Sequence, residues 1–407
     1  MKKFNRRDFL KVAVATPLVV TPLNKLGAMY FPQQPSGLNS NTSADPWLEI
    51  NLNNMAWNIR QIKRRVNNRP VLAVIKANAY GHGLLEIARF LEKQNIDALA
   101  VGKTTEALQL RKGGVQTPLL NLGPFSREEA EQIVRLHISQ SVYTDNFNWL
   151  TKAAQASNIT ARVHIKIDTG LGRVGVPYYR ALPFIEKIAT TNGIRIAGIF
   201  TPFTEDDEFD QVQLTRFMEV CNAAEKKGIE LGTKHTASSA AVLSFPESYL
   251  DMVRPGITIF GQYPSTKEYQ AQRINLKPVM ALKSHIVYLK TLRPGDSISY
   301  HRAFIANKEM KVATIPTGYS DGYPYQIDNR GEILIGGKRC PVIGLVTANH
   351  LTADVSGLSN VELGDKVVLF GEQGDQEITV EEVAAWSNTS VYKILIRMNP
   401  LLSRIYY

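Results

Sequence analysis

At 407 residues the chain has room for two or three domains with a large buried core, and its 44% apolar and 21% charged content is that of a soluble globular protein. A formal net charge of +10 raises nucleic acid as a partner, but Lys2, Lys3, Arg6, Arg7, Lys11 and Lys25 against Asp8 place half of that excess in the first 28 residues, and no basic run with interleaved aromatics follows. No nucleic-acid partner is expected, and two cysteines, Cys221 and Cys340, exclude a disulfide framework and a zinc site built from thiols alone.

In chain order, residues 1–28 come first. Asn5-Arg6-Arg7-Asp8-Phe9-Leu10-Lys11 precedes a short apolar stretch from Val12 to Val20, which reads as a twin-arginine-type export signal. The stretch is too short for a membrane span, and Pro17 breaks it. Leu26-Gly27-Ala28 is a poor cleavage site, which leaves an uncleaved anchor as the alternative. Residues 29–45 read as a linker. The expected destination is the periplasm, reached through the twin-arginine export machinery.

Residues 46–278 alternate between strand-like and helix-like patterns. The strand candidates are Val71–Lys76, Ala98–Gly102, Pro118–Gly123, Ser139–Thr144, Ala161–Asp168, Ile194–Phe200, Gly232–Ala237 and Met252–Phe260. Ser126-Arg127-Glu128-Glu129 is a capping box ahead of one of the helices. About eight such repeats predict an α/β fold, a (β/α)₈ TIM-type barrel. An open doubly wound sheet is the alternative, but no Gly-x-Gly-x-x-Gly turn follows a strand. Residues 279–407 are dominated by strand-like runs separated by Gly/Asp turns, with Val380–Trp386 helical, and predict a mostly β C-terminal domain.

Polar residues gather at the carboxyl ends of the barrel strands, where such barrels build their sites. Lys76 ends the first strand; an amine buried there is nucleophilic and suited to a Schiff base. Asp168-Thr169-Gly170-Leu171-Gly172-Arg173 follows the fifth, Ser238-Ser239 the seventh, and Arg254-Pro255-Gly256-Ile257 lies in the eighth. Ser239 and the N–H groups near Gly256 and Ile257 suit a phosphate. Lysine, phosphate cradle and barrel together point to pyridoxal 5′-phosphate. Taken singly, Lys76 reads as a snorkelling surface lysine, Ser239 as a helix cap, Arg254 as an ion-pair partner and Gly256 as a bulge.

The chain resembles the alanine racemases, fold-type III pyridoxal-phosphate enzymes, from about Trp47 to Tyr407. The resemblance rests on Val74-Ile75-Lys76-Ala77-Asn78-Ala79-Tyr80-Gly81-His82-Gly83, Lys166-Ile167-Asp168-Thr169-Gly170-Leu171-Gly172-Arg173, Met252-Val253-Arg254-Pro255-Gly256, Ser299-Tyr300 and Gly318-Tyr319-Ser320-Asp321-Gly322-Tyr323-Pro324. It implies that Lys76 holds the cofactor and acts as base on one face of an amino-acid substrate. Tyr300 would act on the other face, supplied by the partner subunit of a homodimer. Arg254 would face the pyridine nitrogen, and Arg173 the phenolic oxygen and the substrate carboxylate. Tyr80, Ser239, Gly256, Ile257 and Tyr392 would hold the phosphate. Lys166 matches a lysine that is carbamylated in some relatives, where it orients the arginine. Racemisation itself needs two proton-transfer groups flanking one carbon, and lysine and tyrosine, with reference pKa values near 10, both need tuning for that work.

Two departures stand out. Pro202 occupies the place where such enzymes carry a histidine linking tyrosine and arginine, and proline offers neither donor nor imidazole; His235 is the expected substitute. Ala348-Asn349 stands where relatives read Met-Asp, which keeps a backbone N–H for the substrate carboxylate but removes side-chain volume. The reaction expected is interconversion of L- and D-alanine. The alternatives are a broad-specificity amino-acid racemase, a non-catalytic pyridoxal-phosphate or amino-acid-binding relative, and a decarboxylase, which the lysine segment and Arg254 disfavour.

Overall fold

A computed structural model of the chain describes residues 45–327 and 329–407. The expected export signal at 1–28 and all but the last residue of the expected linker lie outside the described residues. No helix among the described residues is long and apolar enough to cross a membrane.

The first strand, β1 (Trp47–Ile50), is followed by helix Leu52–Arg65, whose Met55, Ile59 and Ile62 face the core. Asn51 caps that helix through its side-chain oxygen, which accepts from the Asn54 N–H at 3.0 Å. Lys63, Arg64 and Arg65 sit in its last turn, where the helix dipole favours cations.

Seven parallel strands then follow: β2 (Leu72–Val74), β3 (Ala98–Val101), β4 (Leu119–Asn121), β5 (Ile138–Val142), β6 (Ala161–Asp168), β7 (Ile194–Phe200) and β8 (Thr233–His235). Each pairs with the next in sequence, Leu72 opposite Ala98 and Phe200 opposite His235, with helices covering the outside. β2 to β5 are buried on both faces, which explains the apolar run of β2 and β3, while β4 and β5 also bury Asn121, Ser139, Gln140 and Ser141.

The eighth position differs from expectation. Met252–Phe260 is not one strand. Val253 makes a parallel bridge to Val71, and the carbonyls of Val253 and Pro255 accept from the Leu72 and Val74 N–H groups at 2.9 Å. This short stretch closes the barrel against β2. Pro255 has no N–H to extend the ladder, Gly256 turns the chain (φ −124°, ψ −87°), and Ile257–Phe260 wind into a 3₁₀ turn.

The C-terminal strands are β9 (Met280–His285), β10 (Tyr288–Leu292), β11 (Met310–Ile315), β12 (Glu332–Ile335), β13 (Lys338–Ile343), β14 (Leu351–Asp354), β15 (Lys366–Gln373), β16 (Gln376–Ile378) and β17 (Ser403–Tyr406). They form a second sheet in the order β10-β11-β14-β13-β12-β15-β9-β1-β17. β1 pairs antiparallel to β9 and parallel to β17, so Trp47–Ile50 belongs to this sheet although it falls within the segment expected to be barrel. Helix Val380–Trp386 starts with a capping box between Thr379 and Glu382, and a second short helix, Val391–Ile396, follows. Leu395 and Met398 pack against the turn after Lys76, and one continuous apolar core runs through barrel and sheet.

Candidate active site

β2 ends at Val74, and the next four residues after Lys76 do something rare. Ala77, Asn78, Ala79 and Tyr80 all have φ between 50° and 57°, a left-handed turn built from residues with side chains. Each such residue costs roughly 1–2 kcal/mol, so the turn needs external support. Glu106 supplies it: one carboxylate oxygen accepts from the Asn78 N–H at 3.1 Å and the other from the Gly102 N–H at 3.0 Å. The Asn78 side chain accepts from the Leu84 N–H at 2.8 Å, at the start of the next helix. Gly102 matters as well, because a Cβ there would sit 3.3 Å from the Lys76 Cβ.

The turn aims Lys76 into a cavity of about 680 Å³ at the carboxyl ends of the strands, a size suited to a cofactor and a small substrate. Lys76, Lys166, Arg173 and Arg254 all line it. None of the four forms an ion pair among the described residues. Burial, then the Arg173 charge, lowers the Lys76 pKa, against an opposing pull from Glu106. Burial first, then Arg173 and Arg254, brings Lys166 down to about 8. These unpaired cations leave the cavity short of negative charge, and an anionic occupant would offset that.

Arg254 is held from behind. Its guanidinium donates to the carbonyls of His235, Thr201 and Thr236, the last two at 3.1 Å, and stacks over the Phe200 ring. Burial lowers its pKa to about 9, and no carboxylate satisfies it. Such a donor suits a neutral ring nitrogen, which accepts a hydrogen bond without taking a proton. His235 lies fully buried, 2.8 Å from His164 Nδ1 and stacked on Phe200. Burial, reinforced by the arginines, holds both histidines neutral. His235 does not line the cavity, so it does not fill the place that Pro202, which does line it, leaves without a donor.

The other end of the cavity fits a phosphate. Ser239 Oγ accepts from the Gly256 N–H at 2.9 Å and meets Thr258 Oγ1 at 3.1 Å. A Cβ on Gly256 would lie 2.5 Å from the Tyr80 hydroxyl, so only glycine leaves this cradle open. Ile257 is fully buried at the start of the following 3₁₀ turn. Tyr80 and Tyr392 come together here with ring centroids 6.1 Å apart, and burial pushes both hydroxyls above their usual range, so they remain donors. Tyr392 arrives on the C-terminal helix Val391–Ile396 and completes the site from the second sheet's side.

Two predicted residues lie elsewhere. Tyr300 is 71% exposed on the 3₁₀ turn Tyr300–Arg302 and does not line this cavity. Ala348 sits on a nearby loop; its carbonyl accepts from the Ser320 N–H at 2.9 Å and the Ser320 hydroxyl at 2.7 Å. Ser299 ties the two loops together through reciprocal 3.1 Å bonds with Leu345. Sequence reasoning missed Glu106, an ordinary first-turn helix glutamate whose role appears only in the fold, and Glu205, which lines the cavity.

Residues 50–264 match the family model described as alanine racemase, N-terminal domain, and residues 279–406 the one described as alanine racemase, C-terminal domain. The chain is 36% identical over 366 residues to alanine racemase 1 of Clostridium acetobutylicum, covering 88% of this chain and 95% of that protein. It is 37% identical over 367 residues to the alanine racemase of Clostridium tetani, with 88% and 95% covered. Among solved structures, alanine racemase of Clostridium difficile superposes with a TM-score of 0.85 at 33% identity, covering 90% of this chain and 96% of that one. The Bacillus anthracis alanine racemase with bound L-Ala-P gives 0.83 at 30% identity, covering 90% and 95%.

Proposed function

Because the chain belongs to the alanine racemase family, we propose that it is a pyridoxal-phosphate isomerase that interconverts L- and D-alanine by a two-base mechanism. The observation that carries this reading is the cavity with four unpaired cations, Lys76 aimed into it, and a glycine-floored cradle between Tyr80, Ser239 and Tyr392. When bound, the cofactor supplies an electron sink that acidifies the substrate Cα–H.

The chain's own residues do the rest. Lys76, with a lowered pKa, takes or returns the proton on one face. Arg173 holds the substrate carboxylate at the cavity rim. Arg254 donates to the pyridine nitrogen and keeps it unprotonated, which limits charge delocalisation into the ring and guards against protonation at the wrong carbon. Tyr80, Ser239, Gly256, Ile257 and Tyr392 bind the phosphate. Tyr300, exposed in its own chain, serves the opposite face in a homodimer, where the Ala348 loop arrives with it. The smaller Ala348 side chain also supports a pocket that admits side chains larger than methyl. Lys166, with a pKa of about 8, has neutral amine available near pH 8 to take up carbon dioxide; a carbamate carbon seen by ¹³CO₂ labelling supports this, and its absence refutes it.

The basic start with Arg6-Arg7 supports export to the periplasm in folded, cofactor-loaded form by the twin-arginine machinery. Cell fractionation that finds the protein only in the cytoplasm refutes export. The activity is tested by incubating the purified protein with individual L-amino acids and resolving D-product by chiral chromatography, with Lys76→Ala as control. D-alanine that forms with wild type and not with the variant supports the reading; none from either refutes it.

A further inference from the structure

The charged lining of the cavity is Lys76, Lys166, Arg173, Arg254 and one carboxylate, Glu205. The cations suit a phosphate and a substrate carboxylate, whereas Glu205 suits neither. It forms no ion pair among the described residues. Glu205 lines the cavity together with Tyr80 and Tyr392, and its charge adds, after burial, to the upward push on both hydroxyls. Burial first, then the charges of Asp210 and Glu268, raises the Glu205 pKa, and a cation beside the carboxylate offsets both.

Its neighbours all have structural tasks. Asp206 caps helix Asp207–Glu225 by accepting from the Phe209 N–H at 3.0 Å, and Asp210 takes both the N–H and the hydroxyl of Thr204. Glu205 gives its backbone N–H to Asp210, but its carboxylate has no such task among the described residues, and the residue holds a left-handed φ of 66°, uncommon for its kind.

We infer that Glu205 is a specificity-determining residue, receiving the cationic end of a basic amino-acid substrate of the lysine or ornithine class whose carboxylate lies at Arg173. The inference rests on the racemase reading and narrows its substrate class. A side-chain ammonium placed there meets the one carboxylate of the cavity lining and offsets the burial of its charge.

The test compares L-lysine with L-norleucine, an uncharged side chain of similar length, on the holoenzyme. The ratio of kcat/KM values favours lysine in wild type. It falls at least about tenfold in Glu205→Gln, mainly through KM, and less in Glu205→Asp, which keeps the charge. Calorimetry on borohydride-reduced holoenzyme, which cannot turn over, shows lysine binding more tightly to wild type than to Glu205→Gln. A wild-type preference for norleucine, or a ratio that Glu205→Gln leaves unmoved, overturns the inference. L-Alanine turnover in the same preparation separates the two failures: if it persists, only Glu205's role falls, and if no amino acid is turned over, the racemase reading falls too.

Discussion

Gly256 and the buried histidines show how much single residues carry. Gly256→Ala puts a methyl group 2.5 Å from the Tyr80 hydroxyl, and overpacking of that kind costs about 1–3 kcal/mol. The expected outcome is a Kd for pyridoxal phosphate roughly tenfold weaker or more, read by fluorescence titration, together with an apo-protein Tm lower by a few degrees. The histidines predict a pH effect of definite sign. Burial lowers His164 and His82 from 6.5 to about 3. Between those values the unfolded chain binds protons that the folded chain refuses. The stability from keeping these rings neutral is therefore complete above about pH 6.5 and is lost as pH falls toward 3. Tm is expected to drop across pH 6.5 to 4, and less steeply in His164→Gln, whose amide still reaches His235. A slope unchanged by that substitution removes His164 from the explanation.

The left-handed turn Ala77–Tyr80 is the element on which the site depends, and Glu106 holds it. Glu106→Ala leaves the Asn78 and Gly102 N–H groups without their charged acceptor, a loss of about 1.5–3 kcal/mol per bond at most. A Tm several degrees lower and weaker cofactor retention are expected together. Unchanged retention would show that the turn stands without Glu106. Elements also mark where sequence reasoning ends. The apolar runs were legible because strands buried on both faces must be apolar, and the capping box at Ser126 is present, with reciprocal bonds of 2.8 and 3.3 Å to Glu129. The eighth strand was misread because Met252–Phe260 is rich in branched and aromatic residues around Arg254 and Thr258, while Pro255 and Gly256 decide the outcome locally. Trp47–Ile50 gives no hint that its partners lie more than 200 residues away. Helix Val391–Ile396, six residues long, carries too little periodicity to stand out. Lys76, Ser239, Arg254 and Gly256 could be grouped because three strand ends converge in a barrel; Glu205 could not, because it lies on a loop with no strand end to mark it.

At the scale of the whole molecule, the cavity lies at the top of the barrel, and helix Val391–Ile396 of the C-terminal region supplies part of its wall through Tyr392. Tyr300 and Ala348 lie together on loops of the same β-rich region, outside that cavity. The proposed homodimer, sharing its sites, would account for both facts. Lys76→Ala and Tyr300→Phe are then each expected to be nearly inactive, and refolding them as a mixture is expected to restore on the order of a quarter of wild-type activity, since half the dimers are mixed and each mixed dimer has one intact site. No recovery on mixing would place Tyr300 in the site of its own chain, or outside the reaction.

The most direct test asks where the cofactor is attached. Borohydride reduction of the loaded protein, followed by proteolysis and mass spectrometry, should leave the pyridoxyl group on the peptide containing Lys76 and nowhere else. Recovery of the label on Lys166, on scattered surface lysines, or on no lysine would contradict the assignment of Lys76.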